Sequence, residues 1–354
     1  MKKTDVIGPS YGNLLEKITG IFSKARMTAI RAINVTQVMA YFEIGREIVE
    51  FEQHGKIRAE YGEELILNLS RDMTNRFGRG FSERNLRNMR SFYTAFSIRQ
   101  TLSAESGKRE SLSEPFIPNL PWSHYCELLK VEDTLARSFY ENEAAQNNWS
   151  VRELKRQINS MLFERLALSR NTTAVMKLAK KGQIIETPED AIKDPYVLEF
   201  LNLREESAYT ESQLEQALID KLQDFLLELG KGFSFVAGQK RITIANRHYH
   251  IDLVFYNRFL KCFVLIDLKT GEFDHADAGQ MNFYLNYFKE NETMADENDP
   301  NGLILCARKD DIFARYVLGG LSNKVFASKY KLALPSERQL KQKLKSLPDL
   351  LDTT

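Results

Sequence analysis

His248-Tyr-His-Ile-Asp252-Leu-Val-Phe-Tyr256, a turn at Asn257 and Arg258, and then Cys262-Phe-Val-Leu-Ile-Asp267-Leu-Lys269 read as two neighbouring strands. A buried strand is normally a near-continuous run of Val, Ile, Leu and Phe, and Phe263 to Ile266 fits that until two charges interrupt it. Asp267 and Lys269 are two residues apart and leave the same face of the strand. Asp252 sits in an otherwise apolar strand and approaches Asp267 across the hairpin. Charges in such a place are costly unless they pair or hold a cation.

Outward from this hairpin the grammar is mixed. Glu211 to Leu229 reads as a helix with Leu214, Leu218, Leu222, Phe225 and Leu229 on one face and Gly230 as its stop. Strand candidates follow at Phe233 to Ala237, Arg241 to Ala245, Tyr249 to Tyr256 and Cys262 to Leu268. A helix from Ala276 to Phe288 precedes a strand from Leu303 to Ala307. This succession predicts an α/β fold with a mixed sheet flanked by helices.

The first half reads differently. From Tyr11 to Phe96 apolar residues recur at three and four, as in Val38, Tyr41, Ile44 and Ile48, which predicts helices. Residues 97–120, with Pro115 and Pro118, read as an exposed connection. Helices resume at Trp122, and Ser150-Val-Arg-Glu153 is a capping box opening a helix from Val151 to about Arg165. The expected organisation is an all-α domain over 1–170, a bridge over 171–205 and the sheet domain over 206–354. The helix ending near Phe77, the Gly78-Arg-Gly80 break and a second helix capped by Ser82 are helix-turn-helix-like. Residues 71–90 hold six arginines and two acids; Arg79, Arg84 and Arg87 are the candidate nucleic-acid contacts. The bland alternative is two packed helices with solvated arginines.

The chain of 354 residues has a formal net charge of +1, with 25 basic against 21 acidic residues in 1–170 and 24 against 27 afterwards. That imbalance alone identifies no nucleic-acid binder. Cys126, Cys262 and Cys306 form no metal pattern or disulfide framework, no run reaches the length of a membrane span, and no apolar signal core follows the start. A reduced, cytoplasmic setting is expected.

Phosphodiester cleavage needs a nucleophilic water, a Lewis acid on the phosphate and charge stabilisation of the transition state. Asp252 and Asp267 are the candidate ligands for Mg²⁺, and Lys269 is placed to orient or deprotonate the water. A third acid is expected from the preceding helix. Glu215 shares a stripe with Ile219, Leu222 and Leu226, with Glu211 one turn earlier; either is otherwise an ordinary solvated acid. Gln280 and Tyr284, four apart on the later helix, are placed to bond a phosphate or position Lys269, or else form a packed helix edge. His248 and His250 alternate with Asp252, so a transition-metal site on that strand is the competing reading.

Residues 211–310 carry Leu214-Glu-Gln-Ala-Leu218, Ile251-Asp-Leu-Val-Phe-Tyr256, Asp267-Leu-Lys269 and Gln280-Met-Asn-Phe-Tyr-Leu285. They resemble the PD-(D/E)XK nuclease superfamily, whose restriction-endonuclease-like fold the resemblance implies, and more narrowly the YhcG-like family. The similarity extends upstream through Phe77-Gly-Arg-Gly-Phe-Ser82, Asn85-Leu86, Trp122-Ser-His124 and Trp149-Ser-Val-Arg-Glu-Leu154. It implies Glu215, Asp252, Asp267 and Lys269 as active-site residues and Mg²⁺ or Mn²⁺ as cofactor. Gln280 and Tyr284 resemble the Gln-x-x-x-Tyr element of RecB-like nucleases. The family's Gly-Arg-Gln stretch is Ala237-Gly-Gln239 here, without the arginine. The expected function is a divalent-metal-dependent nuclease acting on DNA, with RNA as the other substrate class. Its N-terminal region is expected to bind DNA or a protein partner, and concerted cutting of two strands calls for a homodimer. The alternative is a nonenzymatic nucleic-acid-binding or assembly subunit that retains the fold.

Overall fold

In the computed structural model, residues 9–54, 59–105, 120–167, 172–203 and 209–334 are described. The chain divides into two units, Met1–Arg137 with Ala144–Val151, and Ser138–Glu143 with Arg152–Thr354.

The first unit is helical: α1 (Pro9–His54), α2 (Ala59–Phe77), α3 (Glu83–Glu105), α4 (Trp122–Leu128) and most of α5 (Thr134–Asn147). The second half of α1 packs on α3. Gly45 permits this approach, since a Cβ there would lie 2.1 Å from the Met89 carbonyl oxygen. Phe42 stacks edge-on against Phe92, and Ile48, Ile66, Leu86 and Met89 form the adjoining core. Between α2 and α3, Gly78 and Gly80 take positive φ, and Ser82 Oγ accepts the Asn85 amide as the cap read from the sequence. Asn85 then ties the turn down. Its Nδ2 donates to the Gly80 carbonyl and its Oδ1 accepts from Trp122 Nε1 at 2.7 Å. Residues 97–105 continue α3 instead of opening a connection, because no proline interrupts the helix before Pro115. The remainder of that expected connection, 106–119, lies outside the described residues.

The second unit takes up α6 (Val151–Asn159), α7 (Leu162–Ala167), α8 (Thr172–Lys181) and α9 (Pro188–Ala191) before its sheet begins. The single helix expected over 151–165 breaks at Met161, where φ is 54°. Arg165 Nε donates to the Ser160 carbonyl at 2.9 Å, which fixes the break. Next come β1 (Tyr196–Val197), α10 (Glu211–Asp220), α11 (Leu222–Leu229), β2 (Phe233–Ile244), β3 (Arg247–Asn257), β4 (Cys262–Glu272), α12 (His275–Asn291), β5 (Asn301–Arg308), α13 (Asp311–Leu318) and β6 (Val325–Lys331). The sheet order is β1-β6-β5-β4-β3-β2, antiparallel over β2, β3 and β4 and parallel from β4 to β1. The segment read as a bridge therefore supplies an edge strand, through Tyr196 and Val197.

One sheet face buries Leu214, Leu218, Phe225 and Leu229 of α10 and α11, and the other buries Met281, Leu285 and Phe288 of α12. The helix expected over 211–229 is two, parted at Lys221, and Gly230 ends the second at φ 107°. The two strands expected over 233–245 are one, with a register shift between Phe235 and Ala237. Among the described residues no helix is long and apolar enough to cross a membrane.

Candidate active site

The ladder between β3 and β4 runs from Asn257–Cys262 to Leu253–Ile266 and stops. Beyond it β3 continues against β2, and β4 continues against β5. Asp252 and Asp267 are the first residues past the end of the ladder, one on each arm of this fork. The Asp252 side chain replaces the lost ladder bond, with Oδ2 accepting the Leu268 amide at 2.8 Å. Glu215, 5% exposed, reaches the same place from α10. Gln239 joins the two acids: its Nε2 donates to Glu215 Oε2 and lies 3.4 Å from Asp252 Oδ1. Its own backbone has φ of 45°, in the left-handed region that a non-glycine residue seldom occupies.

Lys269 lies on the other side of Asp267, Nζ to Oδ2 at 2.9 Å, with Glu211 at 3.7 Å and Asp277 at 4.0 Å. Burial pulls its ammonium down, but Asp267, Glu211 and Asp277 outweigh that and the net shift is upward. Of the two tasks read for this lysine, holding and orienting fits a permanently charged group better than deprotonating. Burial raises the carboxyl of Asp267 to about 6, against the pull of Lys269. Burial also raises Asp252 and Glu215 from the usual carboxylate range, with the Leu268 amide and Gln239 respectively offsetting part of it.

These oxygens are poorly satisfied by protein. Glu215 Oε1 is buried with no hydrogen-bond partner, and Asp267 Oδ2 faces Lys269 without the alignment of a hydrogen bond. Among the described residues no group of three or more His, Cys, Asp or Glu side chains is gathered closely enough to hold a metal ion alone. Mg²⁺ asks for less, since one or two carboxylates with several waters suffice, and a hard-oxygen set with unsatisfied lone pairs fits it. His248 instead packs against Arg241 and Thr243, with ring nitrogens 2.9 Å and 3.0 Å from their side-chain atoms, and His250 is exposed. The first histidine of the His-x-His-x-Asp alternative is thus engaged by side chains of β2.

A cleft of about 590 Å³ opens beside Glu215 and Asp252, bounded by Ser212, Ile219, Phe235 and Gly238. On α12, Gln280 is exposed and donates to the Tyr284 hydroxyl at 2.6 Å, which in turn donates to the His250 carbonyl at 3.0 Å. Tyr284 is 2% exposed, so it braces Gln280 from the core and presents no ring to a nucleic acid. In the helical unit, Arg79, Arg84 and Arg87 are exposed near the α2–α3 turn. Arg87 leans on Glu83 at 3.4 Å. Gln239 entered the sequence reading only as the end of the Ala237-Gly-Gln239 stretch and not as a site residue, and Asp277 escaped it: the first is a polar residue in an exposed strand, and the second follows a helix cap. For Asp277 a signal existed, because Asp274-His-Ala-Asp277 is itself a capping box.

The family described as "YhcG PDDEXK nuclease domain" matches residues 189–345, and that described as "DUF1016 N-terminal domain" matches residues 17–165. An Escherichia coli (strain K12) protein named "Putative nuclease YhcG" is 45% identical over 353 residues, covering 94% of this chain and 93% of that one. Among solved structures, a repair endonuclease from Pyrococcus abyssi aligns at 20% identity and TM-score 0.26, over 36% of this chain and 50% of that chain. EndoMS in complex with double-stranded DNA aligns at 18% identity and TM-score 0.27, over 38% and 50%.

Proposed function

The chain belongs to the YhcG family of PDDEXK nucleases, and from that premise we propose that it hydrolyses DNA phosphodiester bonds in a divalent-metal-dependent reaction. The observation that carries this is the fork: Asp252 and Asp267 on diverging strands, Glu215 beside one and Lys269 beside the other. Asp252 and Asp267, with Glu215 beside them and several waters, would hold Mg²⁺ or Mn²⁺, which when bound would supply a Lewis acid on the phosphate. Asp252 is oriented by the Leu268 amide, and Glu215 by Gln239. Lys269, held charged among Asp267, Glu211 and Asp277, orients the attacking water and stabilises developing negative charge. Gln280, at the exposed end of the Tyr284 brace, contacts a phosphate of the substrate.

The helical region binds DNA through Arg79, Arg84 and Arg87, whose exposure at a helix–turn–helix connection supports phosphate contacts. Two copies acting together supply one centre per strand. The deciding experiment incubates purified protein with supercoiled, linear and single-stranded DNA and with RNA, in Mg²⁺ or EDTA, beside Lys269→Ala. Cleavage of DNA in Mg²⁺, abolished by EDTA and by the variant, is expected. Equal nicking by variant and wild type would refute the site, and cleavage of RNA alone would refute the substrate.

A further inference from the structure

We propose that the first thirty residues of the described α1 surface, 11–40, pair antiparallel with the same helix of a second copy of this chain. The starting observation is a bare apolar stripe. Leu14, Ile18, Ile21, Phe22 and Ile33 succeed one another at helical steps that place them on one side of α1, and each is between 52% and 72% exposed. From 11 to 33 the helix is exposed all round, Met27 and Ile30 included, and only farther along is its opposite side used, with Val38 and Phe42 buried and Phe42 stacked on Phe92 of α3. Farther along the bare side the sequence turns to Glu43, Glu47 and Glu50, so the apolar stripe has a definite end.

Area and size together point to the occupant. With Tyr11 and Leu15 the stripe offers on the order of 800 Å² of accessible apolar side chain, the amount one partner contributes to a stable interface. Apart from Ile33, its large residues lie in the first half, up to Phe22. In the second half the same stripe is mostly small: Ala25, Ala29, Ala32, Thr36 and Ala40. A two-fold pairing that sets Ala25 beside its counterpart brings Ile21 opposite Ala29, Phe22 opposite Thr28, Ile18 opposite Ala32 and Leu14 opposite Thr36. Large side chains then fill the space above small ones along the whole seam, as close packing demands. A parallel pair would set bulky residues against themselves at one end and alanine against alanine at the other, forcing the helices apart. Lys17, Lys24 and Arg31 flank one edge and face their counterparts in the antiparallel pair. Exposed, screened charges weigh little against that packing.

The pairing is independent of the cleavage reading and is measured without DNA. Sedimentation of the full chain at tens of micromolar is expected to give twice the 40.9 kDa chain mass. Ile18→Glu combined with Phe22→Lys keeps a favourable helical pair at the surface while charging the seam, and is expected to halve the mass while circular dichroism still reports a folded chain. A monomeric wild type, or a dimer that survives the double variant, overturns the proposal. Orientation is read by oxidative cross-linking: Ile18→Cys mixed with Ala32→Cys should give a covalent dimer well above the wild-type background from Cys126, Cys262 and Cys306. Ile18→Cys alone should stay at that background. Cross-linking of Ile18→Cys alone as strong as the mixture would overturn the antiparallel pairing.

Discussion

The Leu268 amide donates to Asp252 Oδ2 at 2.8 Å across two strands whose mutual pairing ends at Leu253 and Ile266. A carboxylate thus substitutes for a backbone carbonyl, closing the fork on the side chain that also carries the proposed chemistry. Bond and charge are separable at this position, because an amide oxygen accepts as a carboxylate oxygen does.

Asp252→Asn should therefore keep the bond and lose the charge. Burial raises the Asp252 carboxyl, which means that the folded protein holds the anion at a cost. Removing the charge should leave urea stability equal or slightly higher while cleavage in Mg²⁺ falls on the order of 10²–10³-fold. A matched loss of stability and activity would mean that the residue is structural only.

Gln239 bridges Glu215 and Asp252 from a backbone position with positive φ. Asparagine tolerates that conformation better than glutamine but is one methylene too short to span the two acids. Gln239→Asn should leave stability within about 1 kcal/mol and lower the cleavage rate about tenfold through a less fixed Glu215. Unchanged cleavage would remove Gln239 from the site.

The hairpin, the acid pair and Lys269 were legible because Asp267 and Lys269 break an apolar strand, a signal contained within a few residues. The two strands at the β1 end of the sheet were not. Tyr196–Val197 is two residues long, and Val325–Lys331 carries Ser328, Lys329 and Lys331 among its apolar positions, so neither has a local period to find. The break at Lys221 was hidden because Leu218 and Leu222 keep an unbroken apolar stripe across it. Arg156 and Arg165 looked like ordinary helix cations, yet both converge on Glu228, about 70 and 60 residues away in sequence. Long-range partners of that kind leave no trace in spacing, and neither does the contact between Gln239 and Glu215.

Arg84 stands exposed on the first turn of α3, beside the two glycines that shape the approach from α2. If it meets a phosphate, Arg84→Ala should weaken DNA binding similarly for unrelated sequences and reduce the slope of log affinity against log salt by about 1. Fluorescence anisotropy over a salt series measures both. An unchanged slope would place Arg84 away from the DNA.

Glu228 is the centre of a buried charge cluster in the sheet unit. Arg165 Nη1 meets its Oε1 at 2.6 Å with both side chains fully buried, Arg156 meets Oε2 at 3.3 Å, and Lys193 bonds the Glu228 carbonyl. The Val197 amide also donates to Oε1, so the edge strand hangs on the same carboxylate, while Glu199 shares Arg156. Burial alone would raise the Glu228 carboxyl, but Arg165, Lys193 and Arg156 outweigh it and hold it down to about 2. Glu228→Gln removes the anion that Arg165 meets and that Arg156 shares with Glu199, and should cost about 3–5 kcal/mol near pH 7. The sign of the pH dependence follows from the depressed value. Stabilisation by the carboxylate is fully present above its unfolded pKa near 4.5 and is lost as pH falls towards 2, where wild type carries a neutral acid nearly isosteric with glutamine. Between pH 7 and pH 3.5 the gap in urea stability between wild type and Glu228→Gln should narrow by on the order of 1 kcal/mol. A gap that stays constant across that window would show that the ionised form of Glu228 contributes nothing to holding β1, α7 and α11 together.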